Sequence, residues 1–501
     1  MNCVYGSAVR PVRYVYGIES SGADAGRFFT QEIKLDGNGD NTDEWTVTYS
    51  NPLGAAYKRV FSDSATSETF FDSLGRRSKE ADPDGVAKLY VYDAMGEMII
   101  TALDMDRDDA VDFNGTDRIS FTTNDVITAH GTTVRRSRQY VWATNGMDSM
   151  TLVGTREASV DGLKIWSHAF GLTNSTETLF PAAGVRQVIS TRPDGSYSLS
   201  QVTKGLLVAV IEYDSGANQI RATSFQYDAH GRRSTITDAR NGTTTITYNN
   251  ADQVESTTTP VPGAGESAQS TVNHFDSMGR VWKVVLPDNT SVTNEFYQTG
   301  HLKKAYGSRT YPVEYVYDAQ GRMTNMTTWR DFPSSGAANT RWLFNERGFM
   351  TNKAYADNLG PSYSYTASGR LGTRIWARGI VTAYTPNNAG EVGTLNYSDD
   401  TADLTYTYDR LGRVKEVLQG TNLTSFVYGE AGQLLSETCN GFTVTNSYDA
   451  VLRRTAVGLQ GYASTMTLYG YDEASRLAGV QNGVNDATYA YHPNSALVNN
   501  R

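Results

Sequence analysis

The stretch that decides the reading begins Tyr227-Asp228-Ala229-His230-Gly231-Arg232 and continues through Ser234-Thr235-Ile236-Thr237. It breaks at Asp238-Ala239-Arg240-Asn241-Gly242 and closes with the run from Thr243 to Tyr248. Each run is short and rich in β-branched residues or aromatics, and each break holds Asp, Asn or Gly. That pattern predicts two antiparallel strands of about 6 residues joined by alternating turns. The same design returns after Arg280, with Val281 to Leu286, a break at Pro287-Asp288-Asn289-Thr290, and Ser291 to Phe296. Asp82-Pro83-Asp84-Gly85 and Arg192-Pro193-Asp194-Gly195 read as further turns. No amphipathic stripe of helical period runs for three turns with caps, so helix has little room.

The hexapeptide that opens this unit, aromatic-Asp-x-x-Gly-Arg, occurs five times in full. Its defining positions are Phe71, Asp72, Gly75 and Arg76; Tyr227, Asp228, Gly231 and Arg232; and Phe275, Asp276, Gly279 and Arg280. Two more copies place Tyr317, Asp318, Gly321 and Arg322, then Tyr408, Asp409, Gly412 and Arg413. Degraded copies at Tyr92, Phe296, Phe344, Tyr365 and Tyr428 keep the aromatic and a glycine four residues on, whereas Tyr448, Tyr471 and Tyr491 lose the glycine. Tyr227 to Tyr248 and Phe275 to Phe296 are 21 residues apart, and Tyr408 to Tyr428 is 20. A period so short makes each copy one supersecondary unit. Within it the Asp suits an Asx turn and the Gly a positive φ. The Arg can pair with an Asp or lie over a neighbouring ring. Residues repeated in most copies are read as structural.

Composition agrees. Among 501 residues there are 31 Tyr and 46 Gly but only 13 Pro, the balance of strands and tight turns, and a large buried β core is expected. A net charge of −10 argues against a nucleic-acid groove. No window approaches 18 uninterrupted apolar residues, which argues against a membrane-spanning helix. Met1-Asn2-Cys3-Val4-Tyr5-Gly6 shows no signal-peptide pattern. Cys3 and Cys439 are too few for a disulfide framework.

These residues resemble the YD repeat, also called the RHS repeat. The resemblance is close over 227–501, looser over 71–226 with insertions, and lacks a clear motif over 1–70, a β-rich segment with an acidic loop. It implies an all-β array of antiparallel hairpins curling into a spiral, partly open cocoon, as in RHS toxins, insecticidal toxin complexes and teneurins. It also implies that the chain is a non-enzymatic shell segment of a secreted or cell-surface protein. The implied partner is an encapsulated C-terminal effector, absent from this chain. The Arg-Tyr-Tyr-Asp-Pro-type segment and the Asp-Pro-Gly cleavage signature of bacterial members are missing, so a truncated C-terminus is expected. The alternative is a surface or wall-associated repeat protein binding carbohydrate or another cell, with Trp329, Trp342 and Trp376 as candidate sugar platforms. A two-carboxylate glycosidase is a third class, but no acidic pair stands out from the repeats.

Two acidic stretches are read as breaking the hairpin rhythm. In 104–112, Asp104, Asp106, Asp108 and Asp112 are spaced as in calcium loops, although Asp109 stands at the usual glycine and Gly115 at the usual bidentate Glu. Asp36, Asn38 and Asp40 also alternate hard oxygens. Calcium is therefore the one cofactor expected, against a plain solvated acidic loop. His130, His168, His230, His274, His301 and His492 show no metal-ligand spacing and read as ordinary surface or turn residues.

Overall fold

The computed structural model describes residues 3–4, 9–146, 149–263, 265–462, 465–492 and 497–500. Forty-two of the 44 strands among them share one antiparallel sheet, and Ala490–Tyr491 with Val498–Asn500 form a separate ribbon. No α-helix occurs among the described residues. The all-β hairpin array predicted from the sequence is the fold.

Strands pair with their neighbours in sequence. Gln219–Tyr227 pairs with Arg233–Asp238, placing Phe225 opposite Ile236, and Arg233–Asp238 pairs with Gly242–Tyr248. At the motif end, the Gly231 N–H donates to the Asp228 carbonyl (3.0 Å) and the Asp228 N–H to the Arg232 carbonyl (2.9 Å). Gly231 sits at φ 76°, where a β-carbon would crowd the backbone. The register slips by one residue at Gln226/Tyr227, and equivalent slips occur at Glu295/Phe296, Val316/Tyr317 and Val427/Tyr428. The closing aromatic thus stands at a recurrent β-bulge, which increases local twist. Opposite ends use two-residue turns such as Asn440-Gly441, with φ 49° and 83°, whose handedness suits hairpins.

The rhythm extends further toward the N-terminus than the motif does. Asn51 takes the Asp position, accepting the N–H groups of Leu53 (3.0 Å) and Ala55 (2.9 Å). The stretch 36–40, expected to break the rhythm, is an ordinary hairpin turn between Phe28–Leu35 and Asn41–Ser50.

The chain divides into two compact units, one of residues 1–119 and 273–406, the other of 120–272 and 407–501. Within each, turns 266 to 288 residues apart in sequence bond to one another.

The expected large core is corrected. Few apolar side chains among the described residues are buried, among them Ile33, Leu35, Ala87, Leu89, Ala102, Ile119, Val134 and Trp142, and of these only Leu35 and Val134 fall below 2% exposure. Most other apolar side chains of the strands are half-buried. The accessible surface is 28,296 Å², whereas a compact monomer of this mass exposes about 18,000 Å².

Candidate functional site

The repeated turn links successive copies. In the 408–413 copy, Asp409 Oδ1 accepts the backbone N–H groups of Leu411 and Arg413, both at 2.9 Å, and Oδ2 accepts Arg413 Nε at 2.6 Å. So anchored, the Arg413 guanidinium lies 4.7 Å from the centroid of Tyr428, the aromatic of the next copy. The Tyr428 hydroxyl donates back to the Val414 carbonyl (2.8 Å). Arg76 covers Tyr92, Arg232 covers Tyr248, Arg280 covers Phe296, and Arg322 covers Phe344 in the same manner. The Arg therefore does both things its position suggested, pairing with its own Asp and covering the next ring. The hydroxyl-to-carbonyl bond was not read from the sequence, and it gives the tyrosine excess a reason. Arg232 holds the Asp228 carboxyl below its ordinary range; at Asp276 the Arg280 backbone N–H does so first.

Two copies lacking glycine, those of Tyr448 and Tyr471, keep the turn, and the turn of the Tyr491 copy lies outside the described residues. Leu452 and Ser475 occupy the position at φ 63° and 60°, while Asp449–Arg453 and Asp472–Arg476 preserve the ion pair.

Where the motif departs from its pattern within the first unit, the missing partner comes from a turn distant in sequence. Thr366 stands at the Asp position of the Tyr365 copy, so Arg370 reaches Asp84 Oδ2 and Asp82 Oδ2 instead, each at 2.6 Å. Thr366 Oγ1 donates to Asp84 Oδ2 (2.7 Å), and the Ser368 N–H donates to Asp84 Oδ1 (3.2 Å). Burial alone would raise the Asp84 carboxyl, but the Thr366, Arg370 and Ser368 contacts outweigh it and hold it below the ordinary range. One copy further on, Glu391 replaces the Arg and Arg118 answers with a paired contact at 2.6 and 2.8 Å. Arg322 adds Glu44 (2.7 Å), and Arg347 adds Asp63 (2.7 Å) and the Phe61 ring (3.8 Å). Gln320 Nε2 donates to the carbonyls of Leu35 (2.8 Å) and Pro11 (3.2 Å).

The acidic loop 104–117 does interrupt the hairpins. Oxygens of Asp104, Asp106 and Asp108 lie within 4.8 Å of one another. Asp104 is fully buried and accepts the N–H groups of Arg107 (2.7 Å) and Asp109 (3.0 Å). Asp117, which the sequence reading did not single out, accepts those of Met105 (2.8 Å) and Asp112 (3.0 Å). The Asp106 carboxyl is raised, by desolvation first and then by Asp108, Asp117 and Asp104. Asp112 stands outside the cluster and accepts the Asn114 N–H (2.9 Å). In the other stretch, Asp36 Oδ1 accepts the N–H groups of Asn38 and Asp40, both at 2.9 Å, as a motif Asp would.

The candidate sugar platforms carry cations. Arg374 lies 3.4 Å from the Trp376 ring centroid, Lys304 5.1 Å from Trp329 and Lys353 5.7 Å from Trp342. A cavity of about 670 Å³ in the first unit is bordered by Lys58, Glu68, Glu80, Lys88 and Arg370, and no aromatic lines it. No helix among the described residues is long and apolar enough to cross a membrane, which leaves membrane β-barrels unaddressed. Two of the histidines read as ordinary, His130 and His168, meet on Glu157.

Comparison with known proteins adds to this geometry. The family model described as teneurin YD-shell matches residues 137–332. No curated protein sequence matches the chain. Among solved structures, the Photorhabdus luminescens Tc holotoxin pore is similar at 13% identity and TM-score 0.54, covering 96% of this chain and 30% of that one. The TcdB2-TccC3-Cdc42 crystal structure aligns at 12% identity and TM-score 0.49, covering 96% and 31% respectively. The chain thus spans about a third of the length of these solved chains. Residues 137–332 thus match the teneurin YD-shell family model, and the fold of the chain is similar to that of the solved Tc toxin chain.

Proposed function

We propose that the chain is a non-catalytic wall segment of a longer secreted RHS-type protein, enclosing an effector domain encoded beyond it and holding that domain apart until delivery. The observation that carries this reading is the surface. A sheet exposing 28,296 Å² leaves far more area in solvent than a finished body of its mass should. We take that excess as surface available to further chain or to cargo. The linked turns supply what a wall requires, since each hairpin is only marginally stable alone and is held by its neighbours. The solved structure similar to it at TM-score 0.54 is a Tc holotoxin pore, which fits a container role. Limited proteolysis of the product of the whole reading frame tests it. The region downstream of the repeats should resist protease while the wall is intact and become cleavable once the wall unfolds. Immediate cleavage of that region in the native protein would refute enclosure.

A second, smaller proposal concerns the acidic loop: Asp104, Asp106 and Asp108 bind calcium weakly. The convergence of their oxygens favours it, since a cation would relieve the mutual repulsion of the three carboxylates. Calorimetric melting in calcium and in magnesium checks it.

A further inference from the structure

We propose that His130, Glu157 and His168 form a binding site for one divalent transition-metal ion, with zinc as the representative probe. The site is independent of the shell reading and lies within the second unit.

Three neighbouring elements converge there. His130 is the first residue of the two-residue turn joining Arg118–Ala129 to Thr132–Trp142, at φ 52° with Gly131 at 72°. Glu157 belongs to Met150–Ser159 and His168 to Lys164–Ala169. In the register Glu157 faces Trp166 and Thr155 faces His168. Steps of two residues along paired strands keep Glu157, Trp166 and His168 on one face. The left-handed turn folds the His130 ring back over that face. It stacks on Trp166 at 4.1 Å and 14°, and parallel to His168 at 5.8 Å and 10°.

Both imidazoles aim the same nitrogen at the same oxygen. His130 Nε2 lies 2.7 Å and His168 Nε2 3.2 Å from Glu157 Oε2, and the three donor atoms are within 4.8 Å of one another. Ligands about 2.0–2.1 Å from a tetrahedral ion stand roughly 3.3 Å apart, so small side-chain rotations would admit a metal. A carboxylate oxygen can only accept, so each ring must bring an Nε2–H to it when no metal is bound. For a metal to bind, each neutral ring must carry its proton on Nδ1 instead, so that Nε2 offers its lone pair. The second shell suits that exchange: Thr173 Oγ1 is 2.8 Å from His168 Nδ1 and can accept its proton, fixing Nε2 as ligand. Arg136, near Glu157, is already bonded to Asp125 at 2.6 and 2.9 Å.

Burial distinguishes the trio from a surface ion pair. The Glu157 side chain is 8% exposed, whereas those of His130 and His168 are 31% and 32% exposed. The carboxylate is thus set at the base and the imidazoles at the mouth, leaving an ion a fourth position open to water. Two imidazoles and one carboxylate suit zinc and its first-row neighbours rather than calcium or magnesium.

Isothermal titration of the metal-stripped 501-residue chain with zinc chloride tests this, with cobalt(II) absorption reporting coordination. One ion per chain should bind at micromolar concentrations, and His130→Asn and His168→Ala should each weaken it by about tenfold or more. Asn suits the left-handed turn, as Asn440 does at φ 49° in another hairpin, so that variant removes the ring and keeps the fold. The double variant, checked by circular dichroism, should bind only at background level. No binding by the parent chain, or one-to-one binding unchanged in the folded double variant, would overturn the proposal.

Discussion

Replacing Asp84 by Asn should weaken the contact between distant turns of the first unit while leaving its shape intact. The carboxylate receives Arg370 Nη1 at 2.6 Å, Thr366 Oγ1 at 2.7 Å and the Ser368 N–H at 3.2 Å. The amide can still accept from Thr366, so the loss falls mainly on the charged contact. A hydrogen bond to a charged group contributes about 1.5–3 kcal/mol. The side chains of Asp84 and Arg370 are 16% and 26% exposed, and solvent screening reduces the expected coupling to about 1–2 kcal/mol. A double-mutant cycle with Arg370→Gln, read by urea unfolding and tryptophan fluorescence, isolates it. In a unit of this size that corresponds to about 2–6 °C in melting temperature. The pH dependence carries a sign. Because the folded Asp84 carboxyl is depressed, its stabilisation is present above the unfolded value near 4 and is lost as pH falls through the lower folded value. Coupling below about 0.3 kcal/mol at pH 7 would refute the reasoning, as would an unchanged acid limb in Asp84→Asn.

Further outcomes follow from the same geometry. Tyr428→Phe should cost about 1 kcal/mol for the lost hydroxyl bond to Val414, and Tyr428→Ala about 3 kcal/mol or more because the ring under Arg413 goes too; chemical denaturation reads both. Gly231→Ala should cost about 1 kcal/mol from backbone strain alone. Gly321→Ala should cost more, since its new carbon would lie 2.9 Å from His301 Cε1 and 3.0 Å from Arg10 Nε. Gln320→Ala should cost about 1 kcal/mol for its lost bonds to the Leu35 and Pro11 carbonyls, the second of which keeps the Leu35 N–H (3.1 Å), while His230→Ala, exposed beside its turn, should be neutral. Calcium should raise the melting temperature, magnesium at equal ionic strength should not, and Asp106→Ala should abolish the effect; identical shifts from both ions would leave a solvated loop.

The hairpin unit was legible because its determinants are local. Asp, Gly and Arg lie within four residues of one another, and the Asx turn, the positive φ and the charge pairing all act over that span. The same logic hid the turns before residue 71, where Asn51 performs the Asp role without an Arg to mark it. Contacts between distant turns could not be read, because Asp84 and Arg370 are 286 residues apart and only the course of the sheet joins them. The Gln320 bonds to Leu35 and Pro11, across 285 and 309 residues, are hidden in the same way. The His130–Glu157–His168 cluster escaped for a related reason: its spacings of 27 and 11 residues match no ligand motif. Cross-strand register and a left-handed turn assemble it. One cue was available, the His130-Gly131 dipeptide, which marks a tight turn able to fold a ring over a neighbouring strand.

The most direct test of the account is an electron cryomicroscopy map of the product of the whole reading frame. If the chain is a wall, one face of the repeated sheet should be lined by polypeptide from outside the repeats, in a closed compartment. A map in which both faces of the sheet meet bulk solvent, with every non-repeat segment outside, would contradict it.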